Sequence, residues 1–255
     1  MNRQLAIATI AYLLLCIWSA SYFLSCISLV IPLFVFTVIF KNSYILKKKI
    51  KICTAKCLFK ESSWIYNLLT KKLIIIISSI FISLILTISL SLAIIHFTIF
   101  DFIIFGLDII FLIVLFNKIL SSQIINDNIK LPIVQNSASW INSIVFAFLL
   151  TIISFNQTPP EYIDINLENS VKKASVLTQS NCEVINYGSR IVSEVSATKW
   201  WFMLGYSNKI KNNYIKILVW FVFLFGNYLA IFAFSRYILG LIEFSTNLKG
   251  NNESK

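Results

Sequence analysis

His96, Asp101 and Asp108 are ionisable residues standing in or against long apolar sequence. His96, the only histidine of the chain, closes an apolar stretch that begins at Leu73. Asp101 precedes the next stretch, Phe102 to Phe116, and Asp108 lies about two turns into it. Seven residues place the two aspartates on one face of a helix. A charge at the centre of a membrane helix costs about 2.5–3.5 kcal/mol even on the lenient insertion scales, so such residues are functional candidates by default. Together the three could form a proton-responsive or cation-attracting cluster near one membrane surface. The plainer alternative makes His96 and Asp101 interfacial and lets Asp108 hydrogen-bond to a neighbouring helix, and Asp108 fits that alternative least comfortably. Arg236 and Glu243 stand seven apart on the last apolar run, where the arginine can reach the headgroups along its aliphatic stem. Asn227, nearer the midplane, is the better polar partner for another helix. Asp108 and Arg236 belong to opposite depths, so no bridge between them is expected.

Ser79, Ser83, Thr87 and Ser91 recur every four residues and make one ridge of small hydroxyl side chains. Such a ridge lets helices approach closely, the commoner use, or lines a polar path. Gly226 and Ala230 form a weaker pair of the same kind. The thiols of Cys53 and Cys57 are one helical turn apart, but zinc sites need four ligands and no histidine or second cysteine pair accompanies them. Only Cys182 of the five cysteines falls in a long hydrophilic segment, so no disulfide framework is expected. With six glycines there is no phosphate loop, and neither a nucleophile elbow nor a metalloprotease helix is present. The expectation is therefore no metal, no cofactor, and a protein that is not an enzyme.

These residues need elements to hold them, and the composition says which. Hydrophobic residues make up 58% of the chain and charged residues 13%, against about 25% charged in an average soluble domain. Leu5 to Phe40 carries no charge; as one helix it would be about 54 Å long, far beyond a hydrocarbon core of about 30 Å. Two short spans, about 5–20 and 23–40, broken at Ser19-Ala20-Ser21, are the expected solution, with one tilted helix as the alternative. The segment resembles a signal peptide but lacks a cleavage site and is read as retained. Nine of the 22 basic residues lie between Lys41 and Lys72. There Lys47, Lys48, Lys49, Lys51 and Lys56 flank an apolar stripe, as in a helix lying on anionic lipid headgroups or simply fixing topology.

The sequence thus reads as an all-α polytopic bundle of about six spans with one small extracytoplasmic helical loop region. Its parts are a hairpin (1–40), a basic cytoplasmic segment (41–72), three spans (73–156), an outer loop region (157–213), the last span (214–245) and a cytoplasmic tail (246–255). The fifth span is expected over Trp140 to Phe155, after a connection from Asn117 to about Ser139. Both termini are placed in the cytoplasm of a bacterial inner membrane, on the positive-inside rule and on a composition typical of AT-rich coding sequence.

Three functions compete. The leading one is an accessory protein of the immunity, exclusion or complex-subunit type. It would bind another membrane protein through the outer loop, with Trp200 and Trp201 at the contact, and would not bind nucleic acid. The second is a small transporter or channel component with a polar path near Asp108, and the third a membrane enzyme acting on a lipid-linked substrate. Polar groups scattered over several spans weigh against the second.

Overall fold

The computed structural model describes residues 2–60, 63–122, 127–156, 159–177, 180–202 and 213–252. Among these there are helices and no strand: α1 (Asn2–Ser21), a 3₁₀ turn (Cys26–Leu29), α2 (Val30–Leu58), α3 (Trp64–Thr70), α4 (Lys72–Ile95), α5 (Ile99–Ser121), α6 (Asp127–Asn156), α7 (Leu167–Leu177), α8 (Glu183–Trp201) and α9 (Asn213–Asn252). Six of them are long and apolar enough to cross a membrane: α1, the turn with α2, α4, α5, α6 and α9. The protein is an all-α, multi-pass membrane bundle. Residues such as Ile10, Phe81, Ile103 and Phe148 are more than half exposed, an outward apolar surface that fits lipid and would be a liability in water.

Local chemistry sets the breaks. α1 ends at Ser21, at the small polar cluster where a break is expected. Between α4 and α5 the chain turns in three residues, because Thr98 and Asp101 form a reciprocal capping box: the Asp101 backbone N–H donates to Thr98 Oγ1, and the Thr98 backbone N–H donates to Asp101 Oδ2 at 2.8 Å. Two otherwise orphaned helix-end donors are satisfied this way.

α9 is the central helix. It packs against α6, α4, α2 and α1, and from Ala233 to Gly240 every residue is buried, the polar Ser235 and Arg236 included. Gly240 is the point of closest approach to α2: a β-carbon there would meet Val38 Cγ1 at 3.1 Å and Asn42 Cβ at 3.2 Å. The basic residues up to Lys56 continue α2 without a break. Their end of the bundle is called the lysine end below, and the opposite end, covered by α7 and α8, the cap end.

Two expectations need correcting. The connection drawn from Asn117 to Ser139 is mostly helix: α6 begins at Asp127 and its membrane-length part runs over Lys130–Ile153. Gln135, Asn136, Ser139 and Asn142 lowered the hydropathy of this stretch, yet Gln135, Ser139 and Asn142 are buried inside the bundle. The absence of a disulfide was also a misreading. Cys26, in the 3₁₀ turn, is joined to Cys182 at the N-terminus of α8, 156 residues away. Cys26 reads as part of an apolar run, but the end of α1 brings it to the cap end.

Candidate functional site

Polar side chains collect between α6 and α9, which run antiparallel through the bundle. Positions 227, 235 and 243 of α9, eight residues apart, face positions 151, 142 and 135 of α6. At the first rung Asn227 Nδ2 donates to Thr151 Oγ1 at 3.2 Å. At the second, Asn142 Nδ2 donates to Ser235 Oγ at 2.8 Å and to Asp108 Oδ1, reaching in from α5, at 2.6 Å. At the third, Gln135 Nε2 donates to Glu243 Oε2 at 3.2 Å, while Asn42 Nδ2 of α2 donates to both Glu243 Oε2 and Gln135 Oε1 at 3.4 Å. At 1.5 Å per residue the rungs cover about 24 Å along α9, most of a hydrocarbon core of about 30 Å.

Asp108 is 1% exposed, and its Oδ2 has no hydrogen-bond partner among the described residues, nor has Asn142 Oδ1. A buried carboxylate with one oxygen unpaired is a costly arrangement that folding alone does not require. Arg236 is buried between the second and third rungs. One guanidinium nitrogen donates to Asn136 Oδ1, its Nη1 has no partner among the described residues, and the group lies over the Phe232 ring, 4.9 Å from the centroid.

Above the Asn227 rung, at the cap end, the bundle opens into a cavity of about 600 Å³. His96 and Phe97 from the α4–α5 turn, Asp101 and Phe105 of α5, Asn227 and Ala230 of α9, and Lys199 and Trp200 of α8 line it, with Tyr162 and Pro160 from the segment before α7. Asp108 lies one helical turn beyond Phe105. Burial and the nearby Lys199 charge hold the His96 imidazole below its ordinary range, and its Nε2 is buried with no hydrogen-bond partner among the described residues. Burial pulls the Lys199 ammonium down to about 8, with Asp101 opposing the shift.

No family model, curated protein or solved structure matches this chain. Its residues alone must carry the functional reading.

The sequence candidates are distributed as follows. His96, Asp101 and Asn227 share the cavity, whereas Asp108 is sealed beneath it and joins the second rung. Asp101 has a local task, since its Oδ2 also accepts from the Thr98 hydroxyl at 2.7 Å. Asp108 and Arg236 make no direct bridge; Asn142 and Ser235 stand between their rows. The ridge of Ser79, Ser83, Thr87 and Ser91 is buried, on a helix that packs against α2 and α9. Of the basic residues, Lys48, Lys49 and Lys56 are exposed, Lys51 is half-buried, and Lys47 turns inward to donate to the Ser78 carbonyl at 2.7 Å. Trp200 lines the cavity, and Trp201 Nε1 donates to the Ile165 carbonyl at 3.0 Å; both indoles are partly exposed. Residues 203–212 of the expected loop lie outside the described residues.

Sequence reasoning missed Gln135, Asn136, Asn142, Lys199 and the disulfide. The eight-residue spacing of Asn227, Ser235 and Glu243 was the available signal for the rungs. Among the described residues no group of His, Cys, Asp or Glu could hold a metal ion.

Proposed function

We propose that the protein works as a small transporter or channel component, with Asp108 as the titrating or cation-binding group of its polar path. The observation that carries this reading is the placement of Asp108. It is a buried carboxylate with one oxygen unpaired among the described residues, set one turn below an open cavity and above the third polar rung. Ionisable groups inside membrane bundles typically belong to ion or proton pathways. The scatter of polar groups in the sequence, the main argument against this function, disappears once they are seen to converge on α6 and α9. We place the cap end outside and both termini in the cytoplasm of a bacterial inner membrane. The lysines at one end and a disulfide at the other support that orientation, since basic residues stay inside and disulfides persist in oxidising compartments.

The test is purified protein in liposomes loaded with a pH-sensitive dye, under an imposed potential. Wild-type protein is expected to move protons or cations, and Asp108→Asn to move none while melting at a similar temperature. Equal flux from the variant would end the reading.

A second reading is the accessory protein. Its supporting observation lies on α8, outside the spans, where Val184, Tyr187 and Ile191 expose apolar surface (68%, 70% and 42%) on one face. Affinity capture from a gently solubilised native membrane separates the two. A stoichiometric partner lost on Tyr187→Glu favours the accessory role, while capture of the chain alone sinks it.

A further inference from the structure

We propose that the ion taken up at Asp108 is a proton and not a metal cation, held as a carboxylic acid whose Oδ2–H donates to Asn142 Oδ1. The second rung leaves two buried oxygens without a partner among the described residues, Asp108 Oδ2 and Asn142 Oδ1. They belong to two side chains already joined, since Asn142 Nδ2 donates to Asp108 Oδ1 at 2.6 Å. While Asp108 is ionised both atoms are acceptors, and neither can satisfy the other. One proton on Oδ2 turns it into a donor, and carboxyl and amide then close on each other through two hydrogen bonds. A single proton thus completes both atoms, each of which otherwise keeps its desolvation cost. Binding adds one H⁺ to the carboxylate; release returns it to water and leaves the carboxylate.

A metal cation asks for more than this rung offers. Hard cations such as calcium and magnesium take about six to eight oxygen ligands, and sodium sites inside membrane bundles draw on the carbonyls of unwound helices. Here the rung supplies Asp108 Oδ2, Asn142 Oδ1 and Ser235 Oγ, and the last already accepts from Asn142. The Ser139 and Ser143 hydroxyls are turned along α6, donating to the Gln135 and Ser139 carbonyls. α5, α6 and α9 run unbroken through this depth, so their carbonyls stay in the helical ladders. Pro132 lies about 15 Å from Asn142 along α6, too far to lend a freed one. Ile104, Phe105 and Leu112, one turn to either side of Asp108, are buried hydrocarbon. The titratable groups nearest this depth are Tyr12 and Cys16 on α1, Asp101 on α5, and Tyr228, Arg236 and Tyr237 on α9; α6 has none between Lys130 and its end. Arg236 is turned to Asn136, so it does not stand in for the proton. The proposal rests on the transport reading only for what becomes of the proton after release.

Infrared difference spectroscopy on the full chain in nanodiscs tests this. Wild-type protein is expected to show a protonated-carboxyl C=O band that shifts in heavy water, fades as the pH is raised and is missing in Asp108→Asn. That variant should fold, since its amide offers Asn142 one donor and one acceptor as the acid does. Carboxyl-labelled aspartate separates the band from Glu243 without any substitution. Sodium or potassium chloride should leave the band unchanged. In Asn142→Leu it should move to higher frequency, because Oδ1 then accepts no hydrogen bond from that side chain. Absence of an Asp108 band at every pH, or a band that sodium or potassium removes, overturns the proposal. A band with the expected properties but no flux in liposomes would defeat the transport reading and leave the proton site standing. Flux carried by sodium, with no band, would do the reverse.

Discussion

The middle of the bundle and its cap end both hold polar groups away from bulk water, and they do so in opposite ways. In the middle, α6, α9 and α5 close on one another, and Asn142 ties Asp108 to Ser235, with Asp108 Oδ2 and Asn142 Oδ1 sealed in without a partner among the described residues. At the cap end His96, Asp101, Lys199 and Asn227 stand around an open space. A closed network gives conformational definition; an open one leaves room for something else. The difference teaches that polarity inside a membrane bundle is not one signal. Its meaning depends on whether packing completes it.

The comparison breaks most severely at Asn142, the one donor to Asp108 among the described residues. An ordinary interhelical hydrogen bond in a membrane averages about 0.6 kcal/mol, but stranding a buried carboxylate costs more, because the group keeps its desolvation penalty. Asn142→Leu should therefore lower stability by about 3 kcal/mol, read from denaturant unfolding in mixed micelles. Combining it with Asp108→Leu should recover much of the loss, since the stranded carboxyl group is then gone and only the Ser235 hydroxyl loses the Asn142 hydrogen bond. A loss near 0.6 kcal/mol for the single change would mean that the middle is no more closed than the cap.

The cap end answers to a different change. Cys182→Ser removes the cross-link between the α1–α2 turn and α8 and should cost about 2–4 kcal/mol. The loss should be local: faster hydrogen exchange along α8, and unchanged exchange at the rungs. Gly240→Leu should cost less, about 1–3 kcal/mol of overpacking, by driving α9 away from Val38 and Asn42. It should disturb the third rung, where Asn42 meets Glu243, and leave the cavity intact, as hydrogen exchange along α8 would report.

How far the molecule was legible follows the same division. The all-α bundle, the helix break at Ser21 and the turn near Asp101 could be read from apolar runs and local caps, because lipid forces each backbone segment to satisfy itself. The rungs could not. Gln135, Asn136 and Asn142 lower hydropathy whether they face water or another helix, and only a partner helix decides which; the first two read as part of a connection, and Asn142 as an unremarked residue of the fifth span. The cap-end cavity was half legible. His96 and Asp101 stood out as ionisable residues beside apolar runs. Lys199 looked like any lysine in a mixed-charge segment, and Cys26 like any residue of an apolar one. Both needed the tertiary closure of α8 over α4 to gain their meaning.

The smallest expected effect tests whether the cap end is as open as it looks. Lys199 shares the cavity with His96, Asp101 and Tyr162, and burial sets its ammonium at about 8, below the ordinary 10.5. A lysine shifted down keeps its charge below that value and loses it above. Read from the chemical shift of the reductively methylated amine, Lys199 should therefore titrate with a midpoint near pH 8, well below the ordinary lysine range. His96, held below its ordinary range, adds charge only in acid. Lys199→Arg, with a group charged throughout this range, should abolish the transition. A profile that stays flat to pH 9.5 in the wild type would place the Lys199 ammonium in water. The cavity would then be an open surface groove, and the contrast with the sealed middle would rest on shape alone.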